Sequence, residues 1–213
     1  NAEGEEMKGK FVTFEGGEGV GKTTQLRLVR QYLEEKGVDA IFLREPGGND
    51  ISEKIRNIIL DISNSAMTGM CEAMLYSAAR AQLTEEVIKP ALKQGKLVVC
   101  DRFIDSTFAY QGIARGLGAD KVDALNRMAC GEVMPDLTIF LDLSPSLAFA
   151  RKGGADSDDR LEQEGFDFHN KVYDGYLQAA NLYPDRIVKI DCSGDAISTH
   201  KKIVDVLSKR GVV

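Results

Sequence analysis

The stretch FEGGEGVGKTT, residues 14–24, decides the architecture. It contains Gly16, then four residues, then Gly21-Lys22-Thr23. It follows the apolar run Lys10–Phe14 and opens a helical pattern over Gly21–Lys36. A glycine-rich turn between strand and helix with that spacing is a phosphate-binding P-loop. Gly16, Gly17, Gly19 and Gly21 let backbone N–H groups wrap phosphate oxygens, and the helix N-terminus adds its positive end. In such a loop Lys22 reaches the β and γ phosphates, the Thr23 hydroxyl is placed for Mg²⁺, and Thr24 completes the nucleotide-binding stretch.

Outward from the loop, further apolar runs occur at Ala40–Leu43, Leu97–Cys100, Leu137–Leu143 and Arg186–Ile190. Those at Leu97–Cys100 and Leu137–Leu143 are nearly continuous in Leu, Val, Ile and Phe, which suits strands buried on both faces. Helical patterns fill the intervals: Ile51–Ile62, a long one over Thr68–Gln94, Lys121–Gly131, Pro145–Arg151, Gln163–Asn181 and Ala196–Ser208. Alternating strand and helix predicts an α/β fold of three layers, with a five-stranded parallel sheet, right-handed crossovers and helices on both faces. The 213 residues make one domain over residues 7–213, preceded by NAEGEE (residues 1–6), which reads as an expression leader. RKGGADSDDR, Arg151 to Arg160, lacks any apolar side chain larger than alanine. Such a segment gains little from burial and reads as a surface loop or a mobile lid over phosphates.

Composition narrows the partners. The net charge of −6 argues against nucleic acid as the main ligand. No apolar run approaches the roughly 20 residues that span a bilayer. Cys71, Cys100, Cys130 and Cys192 lie far apart with no C-x-x-C pair, which predicts single thiols in a reducing compartment rather than a zinc site.

Several segments read as parts for a second substrate. Asp101 and Arg102 end the strand at Leu97–Cys100, and ligands of parallel α/β sheets collect at such ends. The aspartate suits a magnesium ion or its water, and the arginine suits a phosphate gripped by two hydrogen bonds; a structural ion pair is the plainer alternative. Tyr76 and Arg80 are four apart in a helical pattern and share a face, where a ring and a guanidinium suit a flat base, although such a pair is more often surface packing. REPGG, residues 44–48, gives Arg44 and a turn that brings backbone close to a ligand. STFAYQG, residues 106–112, supplies the Ser106 and Thr107 hydroxyls, the Tyr110 ring and the Gln111 amide, or simply packs as helix.

Taken together, FEGGEGVGKTTQ, REPGG, YSAARAQL, VVCDRFIDSTFAYQG, PDLTIFLDL and DRLEQEGFDFHNKVYDGY resemble the thymidylate kinase family in family order, from Met7 to about Val206. The resemblance implies transfer of the ATP γ-phosphoryl group to dTMP, with Mg²⁺, in a cytoplasmic homodimer. It also implies residue roles. Glu18 matches the loop carboxylate near the acceptor's 3′-hydroxyl. Tyr76 stands where the family usually has a stacking phenylalanine, and Arg80 matches the arginine at the thymine O4 edge. Arg102 matches the acceptor-phosphate clamp, with Arg44 as helper. Tyr110 matches the aromatic beneath the sugar, and Thr107 and Gln111 match positions near the base. Gly19 occupies the place where some members carry a P-loop arginine, so catalytic positive charge is expected from the lid, where Arg151 and Arg160 are favoured over Lys152. Catalysis is thus expected from Lys22, Asp101, Arg102, Arg151 and Arg160. The rival readings are another nucleoside monophosphate kinase, a partitioning-type ATPase switch, for which the extra lysine would fall at Gly17 and is absent, and an ATP-dependent ligase of the dethiobiotin synthetase kind.

Overall fold

The computed structural model describes residues 8–152, 160–161 and 163–213. Residues 1–6, expected to be a leader, and most of the expected lid, residues 153–159, lie outside the described residues. Five strands form one parallel sheet: β1 Lys10–Glu15, β2 Ala40–Arg44, β3 Leu97–Asp101, β4 Leu137–Asp142 and β5 Ile187–Asp191, in the order β2-β3-β1-β4-β5. The register pairs Phe14 with Asp101 and, on the other side, with Ile139, so the ends of β1, β3 and β4 line up along one edge of the sheet.

Alternation along the strands divides the core. Val12, Phe14, Val99, Ile139 and Leu141 face α1 (Lys22–Glu35) and α9 (Ala196–Lys209), where Val29, Leu33, Ile203 and Leu207 close one core. Phe11, Val98 and Cys100 face the opposite way and meet Leu83, Ile88, Phe103 and Cys130 from the helices on that side. Phe140 belongs to a third cluster with Phe108, Tyr110, Val172 and Tyr176 of the segments around α8 (Phe166–Leu182). The remaining helices are α2 Asp50–Leu60, α3 Gly69–Leu83, α4 Lys89–Lys93, α5 Ile104–Thr107, α6 Ala119–Cys130 and α7 Pro145–Lys152. Among the described residues, no helix is long and apolar enough to cross a membrane. All four cysteines are free, with only Cys71 exposed.

The helix expected over Thr68–Gln94 is not uniform. It passes from α3 through a π-helical stretch, Thr84–Ile88, into α4. Pro90 is the physical reason: it has no N–H to give and its ring crowds the carbonyl four residues back. The wider turn, in which Lys89 N–H reaches Thr84 O, absorbs the mismatch. A second helical run, α5 continuing as a π-helical stretch over Phe108–Ala114, covers the STFAYQG stretch, for which helix packing is the plainer reading. Its β-branched, aromatic and glycine residues carry little helix propensity, and tertiary packing holds it instead. Gly175 of α8 lies so close that a Cβ there would sit 2.7 Å from Ala109 Cα. This contact seats the stretch that carries Tyr110 and Gln111 closely against α8.

Candidate active site

The P-loop leaves β1 at Glu15 and returns as α1 at Lys22. Gly21 caps α1 in the left-handed region, φ 95°, where a side chain would be strained. Gly17 has no atom within 4 Å of where a Cβ would stand, so the crest of the loop is open to an approaching group. The Lys22 ammonium is buried, donates to Gly16 O at 3.3 Å and lies 3.9 Å from Asp101 Oδ1. Burial and the Arg102 charge push its pKa down, against the pull of Asp101 and Glu18.

Arg102 stands at the centre. Its backbone takes φ 69°, a left-handed conformation costly for any residue but glycine. That turn swings its guanidinium back over the loop. Nη1 donates to Gly16 O at 3.1 Å, to Tyr176 OH at 3.1 Å and to Ser106 Oγ at 3.3 Å, and Nη2 donates to Glu18 Oε1 at 2.5 Å. Its guanidinium carbon lies 5.2 Å from the centre of the Tyr110 ring, and the Tyr110 hydroxyl donates to the same Glu18 oxygen at 3.2 Å. Burial pushes the Glu18 carboxyl up, but the Arg102 and Lys22 charges and the Tyr110 hydroxyl outweigh it and hold the pKa at about 2. Glu18 is therefore ionised throughout the neutral range. Behind this layer Glu15 accepts from Phe103 N–H at 2.7 Å, Ser106 Oγ–H at 2.6 Å and Tyr176 O–H at 3.0 Å, which fixes the two hydroxyls that meet Arg102.

A cleft of about 810 Å³, including its mouth, runs from this layer to α3. Glu18, Lys22, Thr23, Asp101, Arg102 and Ser106 line its loop end, and Tyr76, Arg80, Tyr110 and Gln111 line its far end. Most residues expected from the sequence thus meet around one space. That lining, cationic at one end and aromatic at the other, suits a nucleotide. One end offers cations and a glycine-rich loop for phosphates, and the other offers a ring and an amide for a base.

A family model described as thymidylate kinase matches residues 14–203. The chain belongs to the thymidylate kinase family. It is 46% identical over 203 residues to a thymidylate kinase of Thermoanaerobacter sp. (strain X514), covering 95% of this chain and 99% of that protein. It is 50% identical over 192 residues to one of Lactobacillus delbrueckii subsp. bulgaricus, covering 89% and 91%. A crystal structure of thymidylate kinase from Ehrlichia chaffeensis superposes with a TM-score of 0.76 at 33% identity, over 93% of this chain and 98% of that one. This membership ends the switch and ligase readings.

Not every expected residue lies where a thymidylate kinase reading of the sequence puts it. Arg44 is exposed and outside the cleft lining; it pairs with Glu53 at 3.0 Å and donates to Pro46 O. Thr107 is also outside the lining: its hydroxyl accepts from Arg80 Nη1 at 2.9 Å. Arg80 itself, 1% exposed, donates Nε to Glu45 at 2.8 Å, Nη1 also to Asn126 Oδ1 at 2.8 Å, and Nη2 to Phe103 O at 2.9 Å. Neither favoured lid arginine points to the P-loop. Arg151 donates to Ser193 O and Gly194 O in the β5–α9 connection. Arg160 is buried and donates to Ile59 O at the end of α2 and to Glu72 Oε2 on α3.

Other residues of the site escaped the sequence. Arg56 of α2 lines the cleft, held by Nη1 on Pro46 O at 3.0 Å. The helix that carries it starts where Asn49 caps Ser52 N–H, directly after REPGG, so its second turn overlooks that bend. Leu60 and Leu161 close the far end. Glu72 lies four residues before Tyr76 and eight before Arg80, and that spacing was the available signal.

Proposed function

We propose that the cleft holds dTMP with its base between Tyr76 and Gln111 and its 5′-phosphate between Arg56 and Arg102, facing an ATP whose β and γ phosphates lie on the P-loop beside Lys22. As a member of its family the chain transfers the γ-phosphoryl group of ATP to dTMP, giving dTDP and ADP. The observation that carries the layout is the single cleft joining the Lys22–Arg102 layer to the Tyr76–Gln111 end. The acceptor is already an anion, so the protein's tasks are to align two phosphates that repel and to neutralise charge that spreads in transfer. Glu18, ionised and pinned between Arg102 and Tyr110, stands where it would meet the acceptor sugar. The Tyr110 ring beneath it would leave little room for a 2′-hydroxyl.

The residues present fit a magnesium ion. Asp101 Oδ1 is buried and accepts no hydrogen bond, 3.9 Å from the Lys22 ammonium, and the Thr23 hydroxyl is one residue further along the loop. Asp101 and Thr23 would hold the ion or its water, and when bound it would neutralise the phosphate oxygens of ATP.

An ADP-release assay with ATP, Mg²⁺ and each common nucleoside monophosphate tests the acceptor reading. Turnover is expected to be fastest with dTMP, slower with dUMP and near zero with AMP, GMP, CMP and dGMP. A purine preferred over dTMP would overturn the placement of the base.

The assembly is read as a homodimer. Ile51 and Ile58 on α2 and Met74 on α3, which packs against α2, are large apolar side chains about half exposed, and pairing with a second copy would cover them. Light scattering should return a mass near twice 23.3 kDa; a monomer at micromolar concentration would remove the reading. Four free thiols suit a reducing compartment, so the cytoplasm is the proposed location, which cell fractionation checks.

A further inference from the structure

We propose that Glu72 sets the base specificity of the cleft by locking the side-chain amide of Gln111, so that its carbonyl oxygen and not its NH₂ group faces the base. The proposal rests on the dTMP reading above and names a residue that does not itself touch the nucleotide.

Glu72 is fully buried beneath the base end of the cleft. Its Oε1 accepts from Gln111 Nε2 at 2.7 Å and from Arg115 Nε at 3.2 Å. Its Oε2 accepts from Arg115 Nη2 at 3.1 Å and from Arg160 Nη2 at 2.5 Å. Burial pushes the carboxyl up, yet the bonds from Arg115, Gln111 and Arg160 outweigh it and hold the pKa below the usual range. Glu72 is therefore an ion at neutral pH, and an ionised carboxylate only accepts. Whichever edge of the Gln111 amide meets it must carry hydrogen. The flipped amide would press oxygen against oxygen in a buried site.

The consequence falls on the opposite edge. Gln111 is 1% exposed and lines the cleft, whereas Glu72 does not. With Nε2 committed to Glu72, the edge left for the cleft carries Oε1. A fixed acceptor there pairs with a ring nitrogen that bears hydrogen, as N3 of thymine and uracil does. Cytosine presents a lone pair at N3 and is repelled. The lock also accounts for Arg160: the arginine expected to serve the phosphates is used, with Arg115, to keep Glu72 charged and in place.

The test compares kcat/KM for dTMP and dCMP in wild type, Glu72→Gln, Glu72→Asp, Gln111→Leu and Glu72→Gln/Gln111→Leu. Glutamine at 72 both donates and accepts, so it tolerates either orientation of the Gln111 amide. The dCMP-to-dTMP ratio should rise at least about tenfold in Glu72→Gln. Adding that change to Gln111→Leu should leave the ratio within about twofold, because Glu72 acts only through Gln111. Glu72→Asp keeps the charge for both arginines but withdraws it from Gln111, and should also raise the ratio. Should either substitution abolish cooperative thermal unfolding, the Gln111 side-chain NH₂ signals of ¹⁵N-labelled wild type, identified by their loss in Gln111→Leu, decide instead. They should be protected from exchange before dTMP is added and remain so after it, because Nε2 stays bonded to Glu72. Equal losses for both acceptors in Glu72→Gln, or NH₂ protons that exchange freely in the absence of dTMP, would overturn the lock. A wild type that does not turn over dTMP would instead remove the acceptor reading beneath it.

Discussion

Replacing Arg102 by alanine lowers kcat/KM for dTMP by about two to three orders of magnitude, the size seen when a preorganised charge donor is lost from a transition state. The effect is large because so little else supplies positive charge at that end. Among the described residues the cations lining the cleft are Lys22, Arg56, Arg80 and Arg102, and Arg80 is turned into a cage of Glu45, Thr107, Asn126 and the Phe103 carbonyl. Arg102 is also held in place before substrate arrives, by Gly16 O, Ser106, Tyr176 and Glu18. Removing it costs twice, since the partly buried Glu18 carboxylate loses the largest of the charges that hold it ionised. Lysine at this position should recover only a small part of the rate, because one ammonium cannot reproduce the planar fork. The backbone conformation at φ 69° strains arginine, lysine and alanine alike, so the comparison is free of that term. Steady-state kinetics with saturating ATP decide it: kcat/KM within about tenfold of wild type in Arg102→Ala would remove the clamp assignment.

Replacing Lys22 by alanine is expected to lower kcat by about two or more orders of magnitude while leaving dTMP binding nearly intact. The distinction follows from position. Lys22 opens α1 on the P-loop side of Asp101, whereas the base end of the cleft is built from α3 and the stretch after α5. Its ammonium is tethered to the loop's own Gly16 carbonyl at 3.3 Å, so it needs only a small displacement to reach phosphate oxygens. The loss should therefore appear in turnover and ATP affinity, with the calorimetric Kd for dTMP unchanged within a fewfold. A large rise in that Kd, or a kcat near wild type, would contradict the placement of ATP.

The sheet and most helices were legible because their signals are local. Strands buried on both faces must be apolar throughout, and helices on a sheet must repeat their apolar face, so each leaves its mark in a short window. The P-loop was legible for the same reason: its glycines, lysine and threonine act within one turn of chain. The helix through Ser106–Gln111 left a fainter mark, read only as one of two alternatives. Its side chains are chosen for Arg80, Arg102, Glu15 and Glu72, partners far away in sequence.

The same boundary runs through the site. Residue type and spacing sufficed to select Lys22, Tyr76, Arg80, Asp101, Arg102, Tyr110 and Gln111, the family resemblance added Glu18, and the structure gathers them around one cleft. They did not show that Arg160 would bond Glu72, that Arg44 would face Glu53 or that Arg56 would enter the lining. An arginine's identity states that it needs anions or carbonyls, not which ones, and five donors on a long flexible chain are compatible with many partners. By itself the sequence determined the fold, the phosphate cradle and the family. Which cations are free for substrate, and which way an amide faces, was decided only when the folded chain brought competing acceptors within hydrogen-bonding reach.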